Sequence, residues 1–467
     1  MLTYKSYKFK LSPSEEQNAM LHQHGGNLRF AWNKLVEFAN EKYKTTKFFP
    51  IKIELRAKLK EIQKDNSFLK ISHSQPIQNE SDKLFETILL AFKPESIKER
   101  SKKIAKALQE VNEEKRNKKL KKAYNYRFPN FKKKVTNSDS IFYPQFFKIK
   151  KSRIFFPKIG WIDYKKHRKI EGKPKFLTIT QDGKNWNVSI TCEIEIKENP
   201  KVEIEKANII GIDVGLKTFA TFSDGTEIQN PRTLKRFLKK LRREQKKLSK
   251  KKIIEAKIEE KTIKKSSSNR EKQISKVQKV HRKIKNIRKD FLYQTIHNMI
   301  NKYDGFILET LDIQNMLKAS GKAMNRSILD VSWFEFGRIL EYKSLWNSKY
   351  FLKNDKYDPS TQKCNNCNSL QLLTLEDRMY VCPHCGHTCG RDINAAKNVR
   401  DEGINSLMEL RDTKNTKNTK NTTSTVGIKA CGSLSIGSEL KQEKLRIQFS
   451  SQEEDCLTSQ ASAFRQG

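Results

Sequence analysis

Three carboxylates stand at places from which a folded chain could bring them to one point. Asp213 ends the apolar run Ile209-Ile210-Gly211-Ile212, and Glu309 ends Gly305-Phe306-Ile307-Leu308. Asp392 precedes Ile393-Asn394-Ala395-Ala396, an Ala-rich stretch that predicts a helix with Asp392 in its first turn. The helix dipole there favours an ionised carboxylate. Three ionised oxygen ligands from separate segments suit a pair of Mg²⁺ ions, which prefer hard oxygen and leave their other positions to water and phosphate. Two such ions about 4 Å apart activate water and stabilise the leaving oxygen in phosphodiester hydrolysis. Mn²⁺ would serve the same ligands. Taken singly, each signal is weak: apolar strands often end in Asp, and Asp392 alone could be a helix cap. The order strand-Asp, strand-Glu, helix-Asp in a strongly basic chain carries the reading.

Four cysteines suggest a second metal. Cys364-x₂-Cys367 and Cys382-x₂-Cys385 are separated by 14 residues. Each Cys-x₂-Cys turn can place two thiolates on one Zn²⁺, and two turns complete a tetrahedron with no open position, which marks a structural rather than a catalytic zinc. The spacing is one residue below the usual ribbon range, which a short hairpin over 372–381 accommodates. His384, His387 and Cys389 lie close enough in sequence to substitute as ligands, while Cys192, Cys431 and Cys456 look incidental.

The chain carries 95 Lys and Arg against 53 Asp and Glu, a formal charge of +42 over 467 residues. A field of that sign attracts polyanions, foremost nucleic acid. A membrane surface would require an amphipathic apolar face or an anchor, and no apolar run approaches a membrane span. No signal-peptide pattern opens the sequence. A cytoplasmic, nucleoid-associated protein is therefore expected, with cysteines as ligands or bystanders rather than disulfides.

The elements that must position these residues fall into three regions. Residues 2–11 alternate, with Tyr4, Tyr7, Phe9 and Leu11, and predict a strand. Helical patterns follow from Ser12-Pro13-Ser14-Glu15 to about residue 122, with one stripe at Phe30, Ala31, Leu35 and Phe38 and another at Leu84, Ile88 and Phe92. From 124 to 205 short strands are expected: Tyr126–Lys132, Ile154–Pro157, and the runs 176–180 and 186–191 joined by an Asp182-Gly183 turn. The strand at 2–11 is a candidate to join them, giving a β-barrel (1–12 and 124–205) interrupted by a helical domain (13–123). A third region, 206–362, begins with the Asp213 strand. It contains two basic helical patterns, 234–248 and 274–291, read as a hairpin inserted over 233–292 and interrupted at Ser266-Ser267-Ser268-Asn269. A zinc ribbon over 363–387 and a last segment over 388–411 follow. The tail from 412 to 467, with Thr-Lys-Asn three times in tandem, reads as disordered.

These residues, in this order, resemble the TnpB family of insertion-sequence proteins, relatives of the type V CRISPR effector nucleases. The resemblance runs through Tyr7-Lys8-Phe9-Lys10-Leu11-Ser12-Pro13, Arg29-Phe30-Ala31-Trp32-Asn33, Phe128-Pro129-Asn130-Phe131-Lys132 and Gly211-Ile212-Asp213-Val214-Gly215-Leu216. It continues through Leu308-Glu309-Thr310-Leu311 and the segment 336–343, then both cysteine pairs and Arg391-Asp392-Ile393-Asn394-Ala395-Ala396. It implies a multidomain α+β chain: a wedge-type β-barrel with an inserted helical recognition domain, then a RuvC-like, ribonuclease-H-fold nuclease domain carrying the basic hairpin and the zinc ribbon. It implies Asp213, Glu309 and Asp392 as catalytic Mg²⁺ ligands, with Arg391 and Asn394 supporting them. Cys364, Cys367, Cys382 and Cys385 would be the zinc ligands. The partners implied are a guide RNA and a double-stranded DNA target chosen by pairing beside a short motif read by the protein. Cys389-Gly390 stand where the family usually has His-Asp.

Other readings remain open from sequence alone. A compact type V CRISPR effector would use the same chemistry with an array-derived guide. A non-cleaving RNA-guided regulator would not need the three carboxylates, and a protein-only transposase would not need RNA.

Overall fold

The computed structural model describes residues 2–46, 48–134, 139–196, 202–251, 253–258, 261–354, 359–374 and 377–417, with side chains left aside over 253–258, 261–266 and 412–417. The described chain forms two compact units, Leu2–Glu195 and residues 196–417. The expected disordered tail lies outside the described residues, except that helix persists to Lys417.

The first unit is built on a seven-stranded antiparallel sheet. Its strands are β1 (Leu2–Ser12), β2 (Ser140–Tyr143), β3 (Lys148–Ile149), β4 (Arg153–Phe156), β5 (Gly160–Lys165), β6 (Lys173–Asp182) and β7 (Asn185–Glu195), in the order β2-β6-β7-β1-β5-β4-β3. β1 joins the later strands as expected, lying between β7 and β5. Its odd-numbered Tyr7, Phe9 and Leu11 face the core, whereas Tyr4, out of phase, is exposed, because successive strand side chains alternate faces. β6 and β7 form the expected hairpin: Asp182 pairs with Asn185, and Gly183 takes the positive φ that the two-residue turn demands. Two expectations are corrected. The hydrogen-bonded order ends at β2 and β3, so the sheet is an open half-barrel rather than a closed barrel. Tyr126–Lys132 is not a strand. Its backbone is satisfied by side chains of the first helix, with Trp32 donating to the Asn130 carbonyl and Asn33 bonding both Lys132 N and Lys132 O.

Five helices are inserted after β1: α1 (Glu15–Thr46), α2 (Lys52–Asp65), α3 (Ser74–Ala91), α4 (Pro94–Leu108) and α5 (Glu113–Tyr124). α1 buries Leu21, Leu28, Ala31, Trp32, Leu35 and Val36 in one continuous core with the sheet.

The second unit holds a five-stranded sheet of β8 (Ile209–Val214), β9 (Thr218–Phe222), β10 (Glu227–Gln229), β13 (Gly305–Leu308) and β14 (Tyr350–Lys353), ordered β10-β9-β8-β13-β14. The first three strands are antiparallel, while β13 runs parallel to both β8 and β14. Between β10 and β13 come α6 (Thr233–Ser249), a strand pair β11 (Ile253–Ile258) and β12 (Lys261–Ser266), and α7 (Ser268–Lys302). The expected basic helix pair is present, but its second helix does not end near 292. No Pro or Gly interrupts 268–302, so α7 continues for 35 residues. Its first half packs Val277, Val280 and Ile284 against Leu241 of α6. Its second half sends Leu292, Ile296, Met299 and Ile300 into the sheet core. Ser267 caps α7 by accepting from Arg270 N, so the serine cluster marks a helix start. α8 (Ile313–Ala319), α9 (Lys322–Val331) and α10 (Trp333–Trp346) lie between β13 and β14. After β14 come the ribbon strands β15 (Met379–Val381) and β16 (Thr388–Gly390), then α11 (Arg391–Lys417). The ribbon therefore extends to Gly390 rather than ending at 387, because Tyr380 pairs with Cys389.

Candidate active site and metal centre

β8 and β13 are adjacent parallel strands in register, with Leu308 opposite Ile212. The next residues along each are Asp213 and Glu309, so their side chains leave neighbouring strand ends about 5 Å apart on one face. The ladder continues through Glu309 N, which donates to the Ile212 carbonyl at 3.3 Å. Their carboxyls share a hydrogen bond, and Asp392 and Arg391 lie within electrostatic reach of Asp213.

Asp392 arrives from α11, which lies against β8 and β13. Two glycines permit that approach. A Cβ at Gly211, in the middle of β8, would collide with the Ala396 carbonyl oxygen and the Arg400 amide of α11. A Cβ at Gly403 of α11 would collide with Ile307 of β13. Ala395, Ala396 and Val399 are buried on this face. Backbone-to-backbone contact of this closeness sets the helix one small residue away from the sheet, which brings its first turn to the strand ends.

The electrostatics are those of like charges held together. Burial pushes the Asp213 carboxyl well above the ordinary carboxylate range, and the Glu309 charge and hydrogen bond and the Asp392 charge push it further; Arg391 pulls it back. Arg391 is itself fixed. Its guanidinium donates to the Thr374 carbonyl at 3.1 Å and lies 3.3 Å from an Asp392 oxygen, and its amide donates to Arg378 O. A divalent cation is what this donor set fits: hard oxygens, one a buried carboxyl whose charged form burial disfavours and a bound cation would favour.

The four cysteines converge. Their sulfurs lie within 4.8 Å of one another, the one cluster of its kind among the described residues. Cys364 Sγ is 3.7 Å from Cys385 Sγ, and Cys367 Sγ is 3.6 Å from Cys382 Sγ. A tetrahedral zinc with bonds of about 2.3 Å requires sulfur separations of about 3.8 Å, so the set fits Zn²⁺. Ser369 Oγ lies 3.1 Å from Cys367 Sγ and 3.2 Å from Cys382 Sγ, and Asn366 donates to Cys385 Sγ. The Ser369 hydrogen bond, with the amides of Cys385 and His384, holds the Cys382 thiol well below its ordinary value, while burial pushes Cys364 up. Cys389 packs beside the cluster without joining it. His384 and His387 are likewise outside it.

Asn394 sits two residues beyond Asp392 but turns the other way. It is fully buried, with Nδ2 donating to Lys363 O at 2.7 Å and Oδ1 accepting from Asn365 N at 3.1 Å. Asn365, Asn398, Ser369, Gly211 and Gly403 were not singled out as functional from the sequence. For Asn398 a signal existed: Asn394, Asn398 and Asp401 are spaced i, i+4, i+7 on a helix, the period of one face.

Comparison with known proteins extends over most of the chain. A family model described as "Probable transposase" matches residues 189–320, and one described as "Cas12f1-like, TNB domain" matches 333–399. A "Helix-turn-helix domain" model matches 1–47, where this chain instead folds as β1 and one unbroken 32-residue helix. The "Putative RNA-guided DNA endonuclease InsQ" of Escherichia coli (strain K12) is 29% identical over 422 residues, 86% of this chain and 93% of that protein. A "Putative RNA-guided DNA endonuclease" of Streptomyces pristinaespiralis is 32% identical over 50% of this chain and 54% of its own length. Among solved structures, a Cas12f1–sgRNA–target DNA complex aligns at TM-score 0.42 and 16% identity, covering 85% of this chain and 99% of that one.

Proposed function

We propose that this chain, a member of the TnpB family, is an RNA-guided DNA endonuclease that hydrolyses phosphodiester bonds at one metal-dependent site. The observation that carries this reading is the pairing of two carboxylates at neighbouring strand ends, with a third from a separate helix nearby. Asp213 and Glu309 stand at the ends of in-register strands, with Asp392 within electrostatic reach. The strand order β10-β9-β8-β13-β14, with β9 antiparallel between its neighbours, supports a ribonuclease-H-like fold for the second unit. The half-barrel of the first unit and its helical insertion would be the wedge and recognition parts.

In this reading Asp213, Glu309 and Asp392 hold Mg²⁺ or Mn²⁺. The bound ions would activate water and neutralise charge on the departing oxygen. The protein's own work is to hold Asp213 and Glu309 together, with Asp392 near, against their repulsion. Arg391 keeps Asp392 in place by bridging it to the ribbon. Cys364, Cys367, Cys382 and Cys385 would hold a structural Zn²⁺. A formal charge of +42 supplies the attraction for RNA and DNA backbones, so binding should weaken steeply with salt.

The test is to express the protein with its native flanking DNA, purify it in high salt and sequence the retained RNA. A discrete RNA with a variable end, and cleavage of DNA matching that end only with Mg²⁺ or Mn²⁺, is the expected result. Cleavage or strand transfer without RNA would replace this reading with a protein-only transposase, the activity named by the family model over 189–320.

A further inference from the structure

The zinc knuckle and the helix carrying Asp392 are joined by a closed set of side-chain bonds. Residues 363–365 run along one face of α11. Asn394 takes Lys363 O and Asn365 N, as described. Asn398, 5% exposed, donates to Ser360 O at 2.7 Å and to Lys363 O at 2.6 Å. Its Oδ1 accepts from Asn365 Nδ2 at 3.2 Å, and the same Nδ2 group lies 2.8 Å from Asp401 Oδ2. A further tether comes from β14's end, where Asn354 donates to Val399 O at 3.1 Å.

Cys364 stands between Lys363 and Asn365, the two residues that grip the helix. Its thiol faces the other cysteines, while the backbone on either side of it is bonded to Asn394 and Asn398. Asp392 is two positions before Asn394, a rise of about 3 Å along the helix. The opposite constraint on α11 is the Gly211 contact, which sets its distance from the sheet. The Asn394 and Asn398 bonds add a stop along the helix axis at the end nearest Asp392, beside the Asn354 tether farther along.

From this, and resting on the reading above, we infer that Asn365, Asn394 and Asn398 are positioning residues that transmit the zinc-bound shape of the knuckle to Asp392. Zinc in the ribbon thereby sets the affinity of the carboxylate site for its catalytic cation. The ribbon is more than a separately folding appendage: loss of zinc loosens the knuckle, removes the stop nearest Asp392, and lets the first turn of α11 shift relative to Asp213. Residues that orient metal ligands from outside the coordination shell commonly control affinity by 10- to 100-fold, and an effect of about tenfold is expected here.

The experiment uses the full-length chain and reads Mn²⁺ binding by titration, zinc content by release to a chromogenic chelator, and thermal unfolding. Asn398→Ala and Asn394→Asp, which keeps the acceptor but turns a carboxylate oxygen towards Lys363 O in place of the donor, should retain full zinc content and bind Mn²⁺ about tenfold more weakly. Cleavage should recover at saturating Mn²⁺. Chelating zinc should weaken Mn²⁺ binding of the unsubstituted protein by a similar factor and weaken it much less in Asn398→Ala, since both act through one link. Unchanged Mn²⁺ affinity in a folded, zinc-loaded Asn394→Asp protein would overturn the coupling. Asp392→Ala serves as the reference. If it fails to weaken Mn²⁺ binding, the carboxylate-site reading falls and the coupling with it; if it weakens binding while the asparagine variants do not, only the coupling falls.

Discussion

The cysteine cluster and the carboxylate cluster are both gatherings of anionic ligands, yet the chain assembles them in opposite ways. The four cysteines come from one short segment, 364–385, and two tight turns bring their sulfurs to within 4.8 Å. The three carboxylates come from positions 213, 309 and 392: Asp213 and Glu309 meet because two strands pair in register, and Asp392 comes within electrostatic reach because a helix presses on those strands. The cysteine site is organised by local loop geometry and Ser369. The carboxylate site is organised by the whole second unit, which absorbs the cost of holding like charges in a buried place. A local site depends on its metal for shape, whereas a site built by the fold keeps its shape and should lose only function when the metal is absent.

Asp213→Asn tests the second half of that contrast and carries the largest expected effect. Cleavage should become undetectable. Because folding raises the Asp213 carboxyl above its unfolded value, this group costs stability progressively as pH rises from the ordinary carboxylate value towards its folded value. In chelator, the Asp213→Asn protein should therefore melt at a higher temperature than the unsubstituted one at about pH 8 and near the same temperature at about pH 4. Equal melting at both values would mean that the carboxylates are not in conflict.

Cys364→Ser, or zinc removal, tests the first half. Structural zinc in small modules is worth on the order of 10 kcal/mol of folding free energy. The ribbon over 359–390 should lose amide-exchange protection, while β8, β9 and β13 keep theirs. Simultaneous loss across the sheet would erase the distinction between a local and a fold-built site.

Gly211→Ala sharpens the comparison from the fold's side. The added methyl meets the α11 backbone, and overpacking of this kind costs about 1–3 kcal/mol. Cleavage should fall through displacement of Asp392 while zinc content stays full, as read by zinc release beside a cleavage assay. Cleavage at the unsubstituted rate would show that the helix approach is not what sets the site.

The smallest effect is expected at Asp224, a carboxylate of the same unit whose surroundings work the other way. Burial pushes it up, but hydrogen bonds from Tyr303, Thr226 and Lys302 outweigh this and hold it down at about 2. Its stabilisation is present above the ordinary carboxylate value and is lost as pH falls through about 2. Asp224→Asn should leave melting below about pH 2 unchanged and lower it slightly at neutral pH. A larger change in acid than at neutrality would reverse the assignment.

The same contrast separates what could be read from sequence and what could not. Cys-x₂-Cys pairs state their geometry by spacing, because a tight turn needs no distant partner. The β6–β7 hairpin was legible through Asp182-Gly183, and β1 through the alternation of Tyr7, Phe9 and Leu11. The three acids were legible as strand-end and helix-start residues, with their shared place suggested by family resemblance. Tyr126–Lys132 was misread as a strand, since its aromatic pattern serves packing and its backbone partners are Trp32 and Asn33, far away in sequence. The end of α7 was set too early, because its second half changes the face it buries from α6 to the sheet.

By itself, the sequence determined the charge that calls for a polyanion, the ligand types for one soft and one hard metal site, and most of the elements. Those follow from residue chemistry and short-range periodicity. Only the tertiary structure decided that the β-sheet of the first unit stays open and that α11 can approach β8 as closely as Gly211 and Gly403 allow. It also decided that Asn394 and Asn398 grip the zinc knuckle rather than reach the carboxylates. These are facts about which surfaces meet, and no local pattern contains them.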